Sequence, residues 1–205
     1  MNEATRIGWV RHGITEWNKR GIIQGVTDIP LSEEGLLQAR LLADRLHSEP
    51  QKWNGVYCSD LQRAVQTGEI LAERLGIPLI RDSRLRERSF GEAEGTTLAE
   101  RLEKWGEDWR KLVPDQESDD SVRERGFAFV RELAEKQAGE AWLVVTHGSF
   151  LARMLQALCQ GLNDSHLLNM SLTVLERRQD EWQSLLHNCT KHLTREEEAS
   201  IHPLK

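Results

Sequence analysis

Short apolar runs alternate along this chain with longer segments in which apolar residues recur every three or four positions. The short runs predict β-strands at residues 5–10, 55–59, 77–80, 142–146, 171–176 and 182–186. The longer segments predict helices. One begins after Ser32, a good capping residue that is followed by Glu33 and Glu34. A second runs from Asp60 to Gly76, and a third covers residues 150–159.

Strands that alternate with helices predict an α/β fold, a three-layer sandwich around a mostly parallel sheet. The last two strands are close enough in sequence to form a hairpin, so one antiparallel strand is expected. In such sheets ligands bind beyond the carboxyl ends of the parallel strands. Arg11-His12, the start of the Asp60 helix and His147-Gly148 are therefore expected at one edge.

Residues 96–140 follow a different pattern, which we interpret as a helical insertion over the active site. One helical stripe of large apolar residues is formed by Leu98, Leu102, Trp105, Trp109 and Leu112. Pro114 interrupts it, and Ser121 with Glu124 matches a capping box for a second helix. Such a stripe predicts burial. The alternative is that Trp105 or Trp109 lines the substrate cleft.

Length, charge and cysteine content narrow the functional classes. The 205 residues fit one domain, residues 1–205. The net charge is −6 and there is no block of Lys and Arg, which argues against nucleic-acid binding. No apolar run approaches the roughly 18 residues needed to cross a membrane. Cys58, Cys159 and Cys189 are widely spaced and odd in number, and no signal peptide is evident, so we expect a cytoplasmic protein with reduced thiols.

Five ordered motifs carry the candidate chemistry. They are RHGITEWN at 11–18, QG with DIPL at 24–31, SDLQRAVQT at 59–67, ERSFGEAEG at 87–95 and THG at 146–148. Together they resemble the signatures of the histidine phosphatase superfamily, also called the phosphoglycerate-mutase-like family. The 87–95 motif and the NCTKHL stretch at 188–193 are most similar to the bacterial broad-specificity phosphatases.

The residue types suit phosphoryl transfer. Arg11 and Arg63 can each hold phosphate oxygens with a planar fork, and nearby positive charge should keep His12 neutral and nucleophilic. Glu87 can protonate the leaving oxygen and then take a proton from water. His147, if protonated, would add another donor, and backbone N–H groups at the start of the Asp60 helix could face the anion.

The resemblance implies the same roles. His12 would be the nucleophile, Arg11, Arg63 and His147 the phosphate pocket, and Glu87 the acid and base. It also implies that Asn18, Gln24 and Gly148 contact the substrate, a small phosphorylated metabolite. No metal or other cofactor is expected. Oligomeric state is left open by the sequence.

Several rival interpretations fit parts of the sequence. Cys58 and Arg63 invite comparison with cysteine-dependent phosphatases, whose loop has the spacing C-x5-R. Here the spacing is C-x4-R, so that loop cannot form in the usual way. A metal site would lack a third ligand beside His12 and His147. A protein that only binds phosphorylated partners, without turnover, would be expected to have lost a catalytic group. Here none of the expected catalytic residues is missing.

Within the resembled family, the alternatives are phosphoglycerate mutase and a phosphatase specific for α-ribazole phosphate or fructose 2,6-bisphosphate. A mutase needs cationic contacts to the second charged end of its substrate. The insertion is acidic and has a Leu/Trp stripe, which predicts an apolar wall and water as the main acceptor. Arg86, Arg88 and Arg123 remain as cations that could still bind a carboxylate.

Overall fold

The computed structural model describes residues 4–162, 166–179 and 181–193. Their strands are β1 (Arg6–Arg11), β2 (Gly55–Cys58), β3 (Leu79–Arg81), β4 (Ala141–Thr146), β5 (Leu172–Arg178) and β6 (Glu181–Cys189). Their helices are α1 (Glu16–Lys19), α2 (Glu33–Ser48), α3 (Gln62–Leu75), α4 (Leu98–Trp105), α5 (Trp109–Leu112), α6 (Asp119–Lys136) and α7 (Gly148–Leu158). Each of the six predicted strands is confirmed, with ends that differ by a few residues.

The strands form one sheet in the order β3-β2-β4-β1-β5-β6. β1 pairs in parallel with β4, and β2 pairs in parallel with both β3 and β4. β5 runs antiparallel to both of its neighbours, β1 and β6. The prediction of a mostly parallel sheet with one antiparallel strand is therefore confirmed.

Helices cover both faces of the sheet and complete three layers. Alternate residues of β1 point to opposite faces, so Val10 packs with Leu42 of α2 and Leu71 of α3, whereas Trp9 packs with Phe129 of α6 and Phe150 of α7. All six residues of β4 are buried. A strand buried on both faces is a continuous apolar run, and this explains why the sequence pattern of residues 142–146 predicts it.

The segment predicted as one helical insertion, residues 96–140, divides into two parts with different surroundings. α4 ends at Gly106, which has a positive φ of 70°, so the apolar stripe is broken before α5. α6 begins earlier than predicted, because the side chain of Ser118, not Ser121, accepts the capping hydrogen bond. α6 then packs on the sheet beside α7 as part of the main core.

The helices on the other face agree better with the sequence. The hydroxyl of Ser32 accepts from the Gly35 N–H at 3.2 Å, so the predicted cap of α2 is confirmed. α3 begins at Gln62, two residues after Asp60, and ends at Gly76 in the left-handed conformation. Within the described ranges, no helix is both long enough and apolar enough to cross a bilayer.

Candidate active site

Two adjacent parallel strands deliver the two predicted active-site histidines to the same place. In the β1–β4 register Arg11 lies opposite Thr146, and each strand is followed by a histidine. The His12 N–H donates to the Thr146 carbonyl at 2.9 Å. The rings of His12 and His147 are consequently 5.2 Å apart between centroids.

A cavity of about 310 Å³ opens at this edge of the sheet. Most of the predicted site residues line it, namely Arg11, His12, Asn18, Gln24, Arg63, Glu87 and Gly148. His147 is fully buried directly behind His12. A larger groove of about 1020 Å³ lies elsewhere, beside α6, α7 and β6, and contains none of these residues.

The environment of His12 selects one form of its imidazole. Its Nδ1 lies 2.7 Å from the Gly13 carbonyl oxygen, so Nδ1 carries the proton and donates it. Nε2 is then the nitrogen with a free lone pair. Burial lowers the pKa of His12 well below its ordinary value, and the charges of Arg63 and Arg11 lower that pKa further. The arginines invoked from the sequence act in the expected direction, but burial is the larger cause.

Gly13 is required by a close approach between the site and α2. A Cβ on Gly13 would lie 2.6 Å from the carbonyl oxygen of Gly35. The Gly13 N–H donates to the Thr67 hydroxyl, which itself donates to the Arg63 carbonyl at 2.8 Å. The loop after β1 is thus fixed to both α2 and α3.

The surroundings of His147 favour its neutral form and disfavour the imidazolium considered from the sequence. Burial lowers its pKa well below the ordinary value, and Arg63, His12 and Arg11 add to the effect. Arg63 Nε donates to His147 Nδ1 at 3.2 Å, so the ring proton resides on Nε2. Nε2 is buried and has no hydrogen-bond partner in the described part of the chain.

Three of the five N–H groups of Arg63 donate to other groups of the protein. Besides its bond to His147, it donates from Nη1 to the Thr27 carbonyl at 2.9 Å and from Nη2 to the Gly25 carbonyl at 2.7 Å. Two of its five N–H groups are left for a ligand. The sequence predicted a free fork, whereas the structure has a braced one. Burial lowers the pKa of Arg63 to about 10, and Glu87 opposes that shift.

Arg11 retains more free donors. Its Nη1 donates to the Leu167 carbonyl, while its Nε is buried without a partner in the described residues. Burial lowers the pKa of Arg11 to about 10. A Cβ on Gly148 would lie 3.1 Å from Arg11 Nε, so Gly148 makes room for the guanidinium.

Glu87 is fixed by the first turn of α7. Its Oε2 accepts from the Ser149 N–H at 2.9 Å, and its Oε1 accepts from the N–H groups of Phe150 and Arg88, each at 2.8 Å. The Ser149 and Phe150 N–H groups belong to the first turn of α7, where a helix cannot satisfy them internally. The Glu87 side chain lies in the cavity wall and is buried.

The start of α3 does not supply the backbone donors predicted for the anion. The Gln62 N–H donates to Asp28 Oδ1 at 2.7 Å, so a carboxylate of the protein already occupies that helix end. The helix start that reaches the site belongs to α7, and Glu87 occupies it.

Asn18 and Gln24 line the cavity and brace the loop after β1 at the same time. The Thr15 hydroxyl lies 3.1 Å from Asn18 Oδ1 and 3.0 Å from Gln24 Oε1. Since both oxygens face Thr15, the amide nitrogens are the atoms available to a ligand.

Asn169 is a buried neighbour of the site that sequence reasoning missed. Its Nδ2 donates to the His12 carbonyl at 3.0 Å and lies 3.4 Å from the Gly13 carbonyl, the oxygen that also fixes the His12 tautomer. It also lies 3.3 Å from Asn18 Oδ1. Asn169 lies in the segment before β5, where no periodic pattern signals a role.

The outer wall of the cavity contains arginines as well as apolar side chains such as Ile22, Ile23, Phe90 and Trp109, so the predicted apolar wall is only part of the outer wall. Besides Arg11 and Arg63, it contains Arg88, Arg101, Arg110 and Arg153. Arg88 and Arg153 both pair with Asp119, at 2.7 and 2.9 Å. Two cations named from the sequence lie elsewhere, because Arg86 pairs with Asp60 and Arg123 with Asp120.

The tryptophans of the insertion differ in position. Trp109 lines the cavity and is buried, with the guanidinium groups of Arg101 and Arg110 at 4.6 and 4.3 Å from its ring. Trp105 packs behind it. The remaining stripe residues, Leu98, Leu102 and Leu112, are exposed, so the prediction that the stripe is buried is wrong for them.

Two rival chemistries find no support in the geometry. Cys58 is buried in β2, and burial raises the pKa of its thiol to about 12. A thiol of that pKa is a poor nucleophile at neutral pH. Among the described residues, no group of three His, Cys, Asp or Glu side chains is arranged to hold a metal ion.

The fold and this edge of the sheet define a class of protein. The sequence profile of the histidine phosphatase superfamily (branch 1) matches residues 7–190, and the chain belongs to that superfamily. The resemblance seen in the five motifs is thereby confirmed.

Individual relatives agree with this assignment. The chain is 30% identical to the uncharacterized phosphatase PhoE of Bacillus subtilis, over 93% of this chain and 97% of that protein. It is 35% identical to the metal-independent phosphoserine phosphatase of Arabidopsis thaliana, over 88% and 80% of the two chains. The mycobacterial glucosyl-3-phosphoglycerate phosphatase superposes with a TM-score of 0.81 at 27% identity, covering 91% of this chain and 99% of that one.

Proposed function

We propose that this protein hydrolyses small phosphate monoesters through a phosphohistidine intermediate on His12. The observation that carries the proposal is the hydrogen bond from His12 Nδ1–H to the Gly13 carbonyl. It leaves the lone pair of Nε2 for attack on phosphorus, next to two arginines and inside a cavity lined by Glu87. Neutral, oriented imidazole beside fixed cations is what an in-line attack on a phosphoryl group requires.

In the first step the Nε2–P bond forms and the bond from phosphorus to the ester oxygen breaks. Glu87 gives its carboxyl proton to the departing oxygen, which leaves as an alcohol. Among the described residues Oε2 accepts only the Ser149 N–H, so Oε2 is the oxygen assigned to carry this proton. The free N–H groups of Arg11 and Arg63 and the Nε2–H of His147 are assigned to the phosphoryl oxygens.

In the second step water attacks phosphorus and the Nε2–P bond breaks. The water proton passes to the Glu87 carboxylate, which restores the starting protonation state, and phosphate leaves. Fixed guanidinium groups supply the positive charge throughout. We therefore propose that no metal ion or other cofactor takes part, in keeping with the name of the plant phosphoserine phosphatase.

The substrate we propose is a small metabolite whose leaving group carries a second anionic group. Arg101 and Arg110 lie in the cavity wall without a carboxylate partner among the described residues, and they flank Trp109. Arg101 is buried, and burial lowers its pKa, with Arg110 contributing. A carboxylate or second phosphate on the substrate would offset this positive charge. We further propose that residues 90–117, which we name the cover, select the substrate by contacting its leaving group.

The same arginines favour a second candidate function, that of a phosphoglycerate mutase, because a mutase must also bind the carboxylate of its substrate. The two candidates differ in the acceptor of the phosphoryl group. Incubation with 3-phosphoglycerate and a trace of 2,3-bisphosphoglycerate separates them. We expect phosphate release. Rapid isomerisation to 2-phosphoglycerate with negligible phosphate would overturn the phosphatase assignment and leave His12 as nucleophile.

The covalent step is tested by quenching the enzyme during turnover of labelled substrate. We expect acid-labile, base-stable phosphate on His12, and loss of both label and activity in His12→Ala. A His12→Ala protein with near-normal turnover would overturn the mechanism. A phosphate-release screen over a metabolite panel in EDTA would then identify the substrate.

A further inference from the structure

The backbone that carries Glu87 is held by a residue behind the cavity. Arg125 Nη1 donates to the carbonyls of Arg84 and Arg86, at 2.6 and 2.7 Å. The carbonyl between them, that of Leu85, accepts from the Thr146 hydroxyl at 2.7 Å. All three carbonyls that precede Glu87 are therefore fixed by side chains from α6 and β4.

Arg125 also contacts the two elements that flank Glu87 on its other sides. Its Nε and Nη2 donate to the two carboxylate oxygens of Glu117, at 2.8 and 2.9 Å. The Glu117 N–H in turn donates to the Ser89 carbonyl, two residues after Glu87. The Arg125 guanidinium lies 4.9 Å from the ring centre of Phe150, whose own N–H binds the Glu87 carboxylate.

The helix that carries Arg125 is firmly seated in the core. Val122, one turn before it, and Phe129, one turn after it, are buried in the cluster that covers the sheet. A Cβ on Gly126 would lie 2.2 Å from Met154 Sδ, so α6 and α7 approach closely at this level. Arg125 is thus fixed relative to α7, whose first turn holds the Glu87 carboxylate.

We propose that Arg125 is a positioning residue for Glu87. It fixes the backbone before Glu87, the end of the cover at Glu117 and the first turn of α7, and so holds the carboxyl group at the leaving oxygen. This inference rests on the proposed role of Glu87 as the acid. It assigns Arg125 no contact with substrate.

Arginine suits this position because its planar guanidinium donates four hydrogen bonds at once. Two go to the carbonyls of Arg84 and Arg86, and two go to the carboxylate oxygens of Glu117. Lysine has a single point of donation and cannot serve both the paired carbonyls and the two oxygens of Glu117. Arg125→Lys should keep the charge and lose the geometry. Small displacements of a catalytic group cost about 100-fold in rate, even when the binding contacts are intact.

The experiment compares esters that need an acid with one that does not. Turnover of p-nitrophenyl phosphate, phenyl phosphate and glycerol 2-phosphate is measured for wild type, Arg125→Lys, Arg125→Met and Glu87→Gln. Nitrophenolate leaves without a proton, whereas an alkoxide does not. Glu87 is also the base of the second step, which all esters share, so the comparison uses kcat/KM, which depends only on the steps up to formation of the phosphoenzyme. We expect Arg125→Lys to lower kcat/KM about 10- to 100-fold for glycerol 2-phosphate and phenyl phosphate, but less than about 3-fold for p-nitrophenyl phosphate.

The matched control is Arg131→Lys, an exposed arginine on the same helix. It should leave all three esters unaffected. Glu117→Gln should show a weaker form of the Arg125→Lys pattern, because it keeps the shape and loses the charge. If Arg125→Met fails to fold, the lysine variant alone decides the question.

The outcomes separate this inference from the proposed function. If Glu87→Gln lowers kcat/KM unequally among the esters but Arg125→Lys lowers it equally for all of them, Arg125 is merely structural and the inference is wrong. If Glu87→Gln itself lowers kcat/KM equally for all esters, the acid assignment is wrong and the positioning role is wrong with it.

Discussion

Arg63 Nε donates a hydrogen bond to Nδ1 of His147 at 3.2 Å. An arginine can only donate, so this contact fixes the tautomer with the proton on Nε2. Neutral His147 can therefore still donate to an anion, and it needs no positive charge to do so. The pair explains how one buried arginine and one uncharged imidazole share a site.

We predict that His147→Ala lowers kcat about 100- to 1,000-fold, the usual cost of removing one donor to a transition-state oxygen. His147→Gln should lose less, because its amide can replace the Nε2–H donor. The two variants are compared by steady-state kinetics with p-nitrophenyl phosphate. Equal losses in both, with wild-type folding, would contradict a donor role.

The two buried histidines should also make stability depend on pH. The pKa values of His12 and His147 are well below the ordinary value in the folded protein, whereas the unfolded chain protonates both near pH 6.5. Below about pH 6.5 the unfolded state therefore binds more protons, and the free energy of unfolding falls as pH falls. The slope from these groups reaches about 2.7 kcal/mol per pH unit for two protons.

Urea unfolding between pH 5.5 and 7.5 in phosphate-free buffer measures this slope. His12→Asn and His147→Asn should each remove about half of the histidine contribution, because each removes one group that cannot be protonated in place. His47→Asn, at an exposed position of α2, serves as the control. A slope that is unchanged in both active-site variants would show that these histidines titrate normally in the folded state.

The sequence predicted the fold and the main site because both depend on short-range signals. Buried strands such as β4 are continuous apolar runs, and His12 and His147 directly follow two of them. Asn169 and Arg125 act through contacts between segments far apart in the chain. The Asn169 amide reaches the His12 carbonyl across 157 positions, and Arg125 reaches the Arg84 carbonyl across 41. No local periodicity encodes such contacts.

Burial of the whole Leu/Trp stripe was wrongly predicted for a related reason. The stripe of residues 98–112 assumes one continuous helix, but the positive φ of Gly106 ends α4. The helix break separates Leu98 and Leu102 from Leu112 and leaves all three exposed. Trp109 is then buried in contact with two arginines, a contact that the composition does not predict.

Asn169 offers a test of how the nucleophile is oriented. We predict that Asn169→Ala lowers kcat about 10-fold or more, because the carbonyls of His12 and Gly13 lose a shared donor and the His12 ring is less well fixed. The amount of phosphohistidine formed in a rapid quench should fall with it. Asn188→Ala provides a comparison. The Asn188 side chain accepts from the N–H of Leu168, the residue before Asn169, and does not contact His12. Equal effects of the two substitutions would indicate loss of loop structure rather than loss of orientation.

Activity should survive removal of divalent metal ions. Arg11 and Arg63 provide positive charge in the cavity, so transition-state charge is balanced without a cation. Dialysis against EDTA followed by a p-nitrophenyl phosphate assay is expected to show unchanged kcat. Loss of activity that one divalent ion restores would mean that the site has been misassigned.

The arginine wall predicts selectivity for an anionic leaving group. Arg101 and Arg110 flank Trp109 in the cavity wall and are not paired with a carboxylate among the described residues. Arg101→Met and Arg110→Met should raise KM for phosphoserine and 3-phosphoglycerate about 10-fold each, since a charged hydrogen bond contributes about 1.5–3 kcal/mol. Phenyl phosphate has no second anion, so its kcat/KM should change little.

The control is Lys111→Met, at an exposed position next to Arg110 in the short helix α5. Rising salt should reproduce the effect of the arginine variants on the charged substrates, because screening weakens the attraction. If all substrates respond alike to Arg101→Met and Arg110→Met, these arginines support the cover and do not select the substrate.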